Sequence, residues 1–268
     1  MPELPEVETV RRGLAPILVG ARIEEIFTAR DSYFFVTSPR TLKARLLGRR
    51  VSELVRHGKY LVAQLDDESR LLLHLGMTGQ FVAQRLPRDE HVHMELLLSN
   101  QKHITFRDVR KFGKVEWLPK GKESKRLTKL GPDALVTDSD WLRKKLKERK
   151  IPIKTALLDQ SIWAGVGNIY ADEGLYRSRI NPSKQSSSLT RLQVDTLRTH
   201  IQKLLEQAIL AGGSTINNYL KPDGKLGGFQ NFHLVYGKTG APCPQCGQLI
   251  VRITLGGRGT HFCARCQK

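Results

Sequence analysis

Two places in this sequence set reactive groups close enough together to do chemistry, and they lie at opposite ends of the chain. Near the start, Met1-Pro2-Glu3-Leu4-Pro5-Glu6-Val7-Glu8 places a proline beside a carboxyl group. Removal of Met1, which the small Pro2 permits, would expose a secondary amine. An α-amino group has a pKa of roughly 8, so it is substantially unprotonated near neutral pH without burial. Such an amine adds to a sugar aldehyde carbon and loses water only as a charged iminium. That iminium is an electron sink, and it makes the neighbouring C–H acidic. Elimination is the expected sequel. The same residues also read as an ordinary helix start. Pro5 would stand at the first helical position, Glu6 and Glu8 would favour the positive end, and Arg11 and Arg12 would favour the negative end before Gly13. Val7, Val10 and Leu14 would be its buried stripe. The two readings are compatible, because the helix could be what fixes Pro2. Glu6 acquires no chemical step from this argument.

At the other end, Cys243-Pro244-Gln245-Cys246 and Cys263-Ala264-Arg265-Cys266 give C-x2-C-x16-C-x2-C. Each pair offers two thiolates on a tight turn. Four sulfur ligands complete a tetrahedral zinc with no open position, so one structural Zn2+ on Cys243, Cys246, Cys263 and Cys266 is expected. Paired cysteines of this spacing fit a metal site better than a disulfide framework. His261 is close but unnecessary. Between the pairs, Leu249–Thr254 and Thr260–Phe262 read as strands joined by Gly256-Gly257-Arg258-Gly259. A hairpin with an arginine at a glycine-rich tip delivers the guanidinium to something outside the module. No acidic residue follows Asp223, so Arg258 is expected to meet phosphate.

The elements that must position these groups divide the chain. The 268 residues exceed one typical domain, and 40% hydrophobic residues suffice for packed cores. From about Ile23 to Leu118 the apolar runs are strand-length: Ile23–Phe27, Tyr33–Val36, Val51–Val55, Tyr60–Leu65, Leu71–Leu75, Met94–Leu98 and Val115–Leu118. Turn signals separate them, and the spacing argues for an antiparallel sandwich. In that half, Lys59 follows Gly58 at a strand entrance, where it could present a point charge to phosphate or simply be solvated. Met77 and the Arg110/Phe112 pair lie in glycine-flanked stretches. They are suitable types to fill a hole in a base stack and to bond an orphaned base, or equally to be core and surface residues.

Basic residues cluster from Lys120 to Lys129, and Gly131-Pro132-Asp133 then breaks the chain. Trp141–Lys147 reads as a basic helix, and 150–154 as an extended basic strap. A helix starts at Thr155. Gly165-Val166-Gly167-Asn168 forms a tight turn into Ile169–Arg177, an anion site to which Asn168 adds an amide donor. Leu189–Leu210 is one long helix with Leu192, Leu197, Ile201, Leu204, Leu205 and Ala208 on its buried face. Residues 214–229 read as a mobile loop. The net charge of +18 points to a polyanion, nucleic acid first. No long apolar run or leader is visible, so a soluble cytoplasmic protein with no membrane partner is expected.

The run Pro2–Leu14 resembles the start of bacterial formamidopyrimidine-DNA glycosylases, and Gly165–Glu173 resembles the helix-two-turn-helix motif of that superfamily. The zinc module follows in family order, so the resemblance covers nearly the whole chain. It implies an α+β fold: an N-terminal antiparallel β-sandwich with flanking helices, then a helical helix-two-turn-helix domain and a β-hairpin zinc finger. The expected boundaries are 1–130, a basic linker at 131–154, 155–233 and 234–268. It implies a bacterial, nucleoid-associated monomer acting on double-stranded DNA that carries oxidised purines or abasic sites. Pro2, Glu3, Lys59 and Arg258 take catalytic roles by resemblance, and His91, Arg110, Lys150, Asn168, Met77 and Phe112 contact DNA. Residues 217–226 would close over the extruded base. Endonuclease VIII, which removes oxidised pyrimidines, shares Pro2-Glu3, the helical motif and the zinc hairpin; Leu4–Thr9 and the Met77, Arg110, Phe112 set favour the purine enzyme. A non-catalytic zinc-ribbon DNA binder is the alternative from another class.

Overall fold

The computed structural model describes every residue except Met1, Asn217 and Asn218, so the first two positions of the expected base-recognition loop lie outside the described residues. The chain forms two compact units: Met1–Thr128 with Ala211–Gly228, and Lys129–Leu210 with Phe229–Lys268. The expected boundaries took 211–228 with the helices and 234–268 as a zinc finger; the two compact units are coarser and group 211–228 with the sandwich. Local bonds explain the return of 211–228. Ser214 N–H donates to Glu6 Oε1 at 2.7 Å, Ala83 N–H donates to the Pro222 carbonyl at 2.9 Å, and Tyr219 is buried in the first unit's core.

In the first unit, helix α1 spans Leu4–Leu18 and buries Leu4, Val7, Val10, Leu14 and Leu18, the apolar stripe expected of it. Pro5 stands second in the helix rather than first. Gly13 does not end it either, since α1 continues five residues further with Pro16 inside. Glycine is needed at 13 for closeness: a Cβ there would lie 2.8 Å from Pro222 Cγ. Two four-stranded antiparallel sheets follow. One has the order β1 (Ile23–Thr28), β6 (Val92–Leu98), β7 (His103–Asp108), β5 (Gly79–Val82). The other runs β2 (Val51–His57), β3 (Tyr60–Leu65), β4 (Arg70–His74), β8 (Lys114–Leu118). Leu61, Leu71 and Leu73 from one sheet share a core with Met94, Leu96 and Phe106 from the other and with α1. That is the expected sandwich.

Tyr33–Val36 is not a strand. Phe34 and Phe35 turn inward as a core plug, with a single bridge from Phe35 to Val115. Helix α2 (Pro39–Leu46) and strands β5 and β7 were not anticipated, although Ser38 capping Thr41 N–H ahead of Pro39 is a helix-start signal.

The second unit holds α3 (Ser139–Lys147), α4 (Ile153–Leu158), α5 (Asn168–Arg177), α6 (Arg191–Leu210) and the hairpin β9 (Val251–Leu255)/β10 (Arg258–Phe262). The strap at 150–154 is corrected: Ile153 and Lys154 already belong to α4, and Lys154 is fully buried against Asp172. Leu192 is also corrected, since it is 75% exposed and Val194 takes the inward position. Among the described residues no helix is long and apolar enough to cross a membrane.

Glu8 joins α1 to the sheet. It pairs with Arg11, Arg12 and Arg56 at 2.9, 2.8 and 3.2 Å. Burial alone would raise its pKa, but the bonds from Arg11 and Arg12 and the charge of Arg56 outweigh it and hold it at about 2, against an ordinary 4.5. Partly screened by solvent, that difference corresponds to about 2–3 kcal/mol of stability at neutral pH. A depressed carboxylate stabilises fully above its unfolded pKa and ceases to do so as pH falls through the folded value. The stability gap between the parent and Glu8→Gln, measured by denaturant unfolding, should therefore be largest above pH 4.5 and shrink steadily towards pH 2.

Candidate active site and zinc module

The N-terminal dipeptide is held by backbone geometry. Pro2 and Glu3 are both buried, and Glu3 is the N-cap of α1 with extended φ −107° and ψ −171°. Glu3 and Glu6 form a reciprocal capping box, in which Glu6 Oε2 accepts the Glu3 N–H at 2.7 Å. The other Glu6 oxygen accepts the Ser214 N–H. Glu6, which sequence reasoning left without a role, thus ties residues 2–3 to the 211–228 segment. Gly213 at φ 79° leaves room for it, since a Cβ there would lie 3.0 Å from Glu6 Cγ. Burial, then the nearby Glu6 charge, raises the pKa of Tyr219, whose hydroxyl donates to the Gly212 carbonyl at 3.2 Å.

Lys59 is buried at the turn from β2 to β3, not solvated. On the next strand His74 lies opposite Tyr60, with ring centroids 4.6 Å apart. Burial, then the Lys59, Arg126 and Lys114 charges, pushes the His74 pKa down to about 4. The imidazole is therefore neutral at neutral pH, and its Nδ1 accepts the Gly76 N–H at 3.1 Å. Nothing in its sequence setting had marked His74.

Met77, Arg110 and Phe112 converge. Met77 is 36% exposed and Phe112 42%, values that no core residue would show, and the Arg110 guanidinium lies 4.7 Å from the Phe112 ring centroid. The two loops pack backbone to backbone. A Cβ at Gly76 would fall 2.5 Å from Gly113 N, so only glycine allows the approach. Between the loops sits Asp108, fully buried, which accepts the Thr78 hydroxyl and the Arg110 N–H on Oδ1 and the Gly113 N–H on Oδ2. Its own N–H donates to the His91 carbonyl at 2.8 Å. His91 is half-buried beside Glu90. Sequence reasoning gave Asp108 no role. A lone aspartate inside an Arg/Lys run carries no signal that it is buried.

In the second unit, Gly167 caps α5, and the Asn168 amide donates to the Gly259 carbonyl at 3.0 Å. That amide was expected to be free for an anion; at least one of its N–H groups instead holds the hairpin next to Arg258. The hairpin turn is Gly256-Gly257, with φ 54° and 73°, as a two-residue turn requires. Arg258 opens β10 opposite Leu255 and is exposed. Asp172 bonds Lys154 through Oδ1, and its Oδ2 takes the His261 backbone N–H at 2.9 Å and meets the ring Nδ1 at 3.0 Å, which holds His261 away from the metal set. Lys150 is exposed just beyond α3.

The four cysteine sulfurs lie within 4.8 Å of one another, Cys243 to Cys266 at 3.9 Å and Cys246 to Cys263 at 3.5 Å. Tetrahedral zinc with Zn–S bonds near 2.3 Å requires S–S separations of about 3.8 Å, so the set fits one structural ion and leaves no ligand position for substrate. Burial opposes ionisation of Cys243, but the Tyr176 hydroxyl at 3.2 Å and the backbone N–H groups of Gln245 and Cys246 lower its pKa. Metal binding contributes on the order of 10 kcal/mol to so small a module. Cys246→Ala should therefore bind no stoichiometric zinc by elemental analysis and lose hydrogen-exchange protection across 243–268. Retention of one tightly held zinc per chain would contradict the four-sulfur site.

Comparison with known proteins matches three family models in order. They are the formamidopyrimidine-DNA glycosylase N-terminal domain over residues 1–115, the H2TH domain of the same enzymes over 130–219, and the zinc finger found in FPG and IleRS over 240–268. The formamidopyrimidine-DNA glycosylase of Paracoccus denitrificans is 41% identical over 285 residues, covering 100% of both chains. Among solved structures, Lactococcus lactis Fpg bound to DNA containing N7-benzyl-Fapy-dG superposes with a TM-score of 0.90 at 38% identity, covering 100% of each chain. The same bacterium's enzyme bound non-covalently to DNA with an AP site gives 0.89 at 37%, covering 99% of each. Sequence, fold and cysteine cluster agree, and the chain belongs to the formamidopyrimidine-DNA glycosylase family.

Proposed function

We propose that this chain is a bifunctional glycosylase and AP lyase that excises oxidised purines, 8-oxoguanine and formamidopyrimidines, from duplex DNA, with the Pro2 amine as nucleophile. The observation that carries this reading is the N-terminus: a proline next to a buried carboxylate, fixed by the Glu3–Glu6 capping box at the head of α1. The Lactococcus relatives bound to Fapy-dG and abasic DNA support the substrate class.

After Met1 is removed, the Pro2 nitrogen attacks C1′ of the damaged nucleotide. The C1′–base bond breaks, and Glu3 protonates the ring oxygen as the sugar opens. The resulting iminium makes C2′–H acidic. Loss of that proton expels the 3′ phosphate, and a second elimination expels the 5′ phosphate, leaving a one-nucleotide gap with phosphate at both ends. Lys59, buried in the same unit, serves the proton transfers of the first elimination. Arg258, exposed at the start of β10, grips phosphate and assists the second. His91, Lys150 and Asn168 contact the backbone. Met77, Phe112 and Arg110 fill the vacated stack, and Arg110 bonds the orphaned base. A single chain in the bacterial cytoplasm suffices for this chemistry.

Borohydride should trap the parent protein covalently on 8-oxoguanine duplex, and Pro2→Gly should reduce the adduct at least about tenfold, since a primary amine replaces the ring nitrogen. A protein that binds the duplex but yields no adduct would be a non-catalytic zinc-ribbon binder. Faster cleavage of an oxidised pyrimidine than of either purine lesion would assign the endonuclease VIII-like activity instead.

A further inference from the structure

We infer that Asp108 is a positioning residue that couples the Met77 loop to the Arg110–Phe112 loop, so that the three side chains enter DNA as one preformed wedge and read the opposite base together. The inference rests on the reading above that these three residues fill the vacated stack.

Asp108 closes β7, and its carboxylate is fully buried. Oδ1 takes the hydroxyl of Thr78, the residue after Met77, and the N–H of Arg110 at 3.2 Å. Oδ2 takes the N–H of Gly113, the residue after Phe112, at 2.7 Å. The Thr78 hydroxyl oxygen itself accepts the Arg110 N–H at 3.1 Å, so the two loops share a bifurcated bond at the root of Arg110. The backbone of Asp108 extends the junction, its carbonyl bonding His93 Nε2 at 2.8 Å and its N–H bonding the His91 carbonyl. Lys111 sits at φ 57°, in the left-handed region, and its N–H also returns to the Asp108 carbonyl. On the far side the Tyr33 hydroxyl donates to the Arg110 carbonyl at 2.7 Å.

Among the described residues, each hydrogen-bonding partner of this carboxylate is a donor. Asparagine would turn an NH2 towards one of them and leave a buried N–H unpaired. A carboxylate with both oxygens filled is what the junction requires, and the packing argument at Gly76 shows why the loops cannot drift apart and remain bonded. The energetic consequence falls on insertion. Without the cross-link each loop must be ordered separately when DNA binds, and the Arg110 guanidinium is no longer aimed at the orphaned base.

The test uses the full zinc-bound chain. Thr78→Val is nearly isosteric and removes only the inter-loop hydroxyl; Asp108→Asn is the second variant; Arg110→Ala is run in parallel. Single-turnover excision is measured on 8-oxoguanine opposite cytosine and opposite adenine. Borohydride trapping is measured on single-stranded abasic DNA, which has neither an orphaned base nor a stack to fill. Thr78→Val should lose about tenfold on the cytosine duplex, the size of one hydrogen bond to a charged group. Its cytosine-to-adenine ratio should fall, single-stranded trapping should stay near the parent's, and the melting temperature should drop by only a few degrees. Asp108→Asn should move the same way and further. Unchanged duplex excision and base ratio in Thr78→Val, or an equal loss on single-stranded DNA, overturns the coupling. If Arg110→Ala also leaves the ratio unchanged, the failure belongs to the stack-filling reading; if it moves the ratio and the other two do not, the failure belongs to Asp108.

Discussion

A carboxylate taken out of water must have its oxygens filled by donors, and this constraint organises the functional loops. Glu6, Asp108, Asp172 and Glu173 are each no more than 1% exposed. None stands idle. Glu6 bonds N–H groups of Glu3 and Ser214; Asp108 bonds Thr78, Arg110 and Gly113; Asp172 bonds Lys154 and His261; Glu173 bonds the successive N–H groups of Leu234, Val235 and Tyr236 on one oxygen and Arg177 on the other. In each case at least one donor lies on a segment proposed to carry function or leading to one. Removing a single partner would leave an uncompensated buried charge or donor, which costs several times what the bond contributes when made. The loops are therefore held by the penalty for opening them.

What could be read from the sequence follows from where the physical signal is local. The four cysteines announce their site by spacing alone, and the S–S distances agree. The apolar stripe of α1, the basic helix at Trp141–Lys147 and the turn before Asn168 are likewise legible, because period and capping are properties of neighbours. Burial of a charge is not local. Lys154 reads as one more cation in a basic strap until Asp172, a turn into α5, is seen to neutralise it. Lys59 and Asp108 fail the same way. Tyr33–Val36 misleads for the converse reason: an apolar run of strand length can fill a core without pairing, and Phe34 packs edge-on to Phe106 with centroids 4.9 Å apart. Gly13 and Gly76 look like breaks in the chain, but at both positions the missing Cβ matters for what lies against it.

The domain division shows the same limit at larger scale. Continuous numbering suggested that 211–228 belonged with the helix it follows, and composition suggested a loop. Yet the segment carries Tyr219 into the sandwich core and Ser214 to Glu6. Hydrogen bonds between residues more than two hundred positions apart leave no trace in periodicity. The consequence is chemical: the segment expected to cover a base is built onto the same unit as the amine expected to attack its sugar.

The choice of backbone N–H groups as partners bears on how such a protein works in a polyanion's field. With a net charge of +18, many of its lysines and arginines have no carboxylate to pair with and remain available for phosphate. A loop held by a surface ion pair would be loosened when phosphate drew its cation away, and salt would loosen it further. A loop held through N–H donors on a buried carboxylate meets less of this competition, because those donors are already paired inside the protein, away from phosphate. Investing acidic residues inside thus does two things at once. It fixes the segments proposed to read and to react, and it leaves the outer cations uncompensated to draw DNA in.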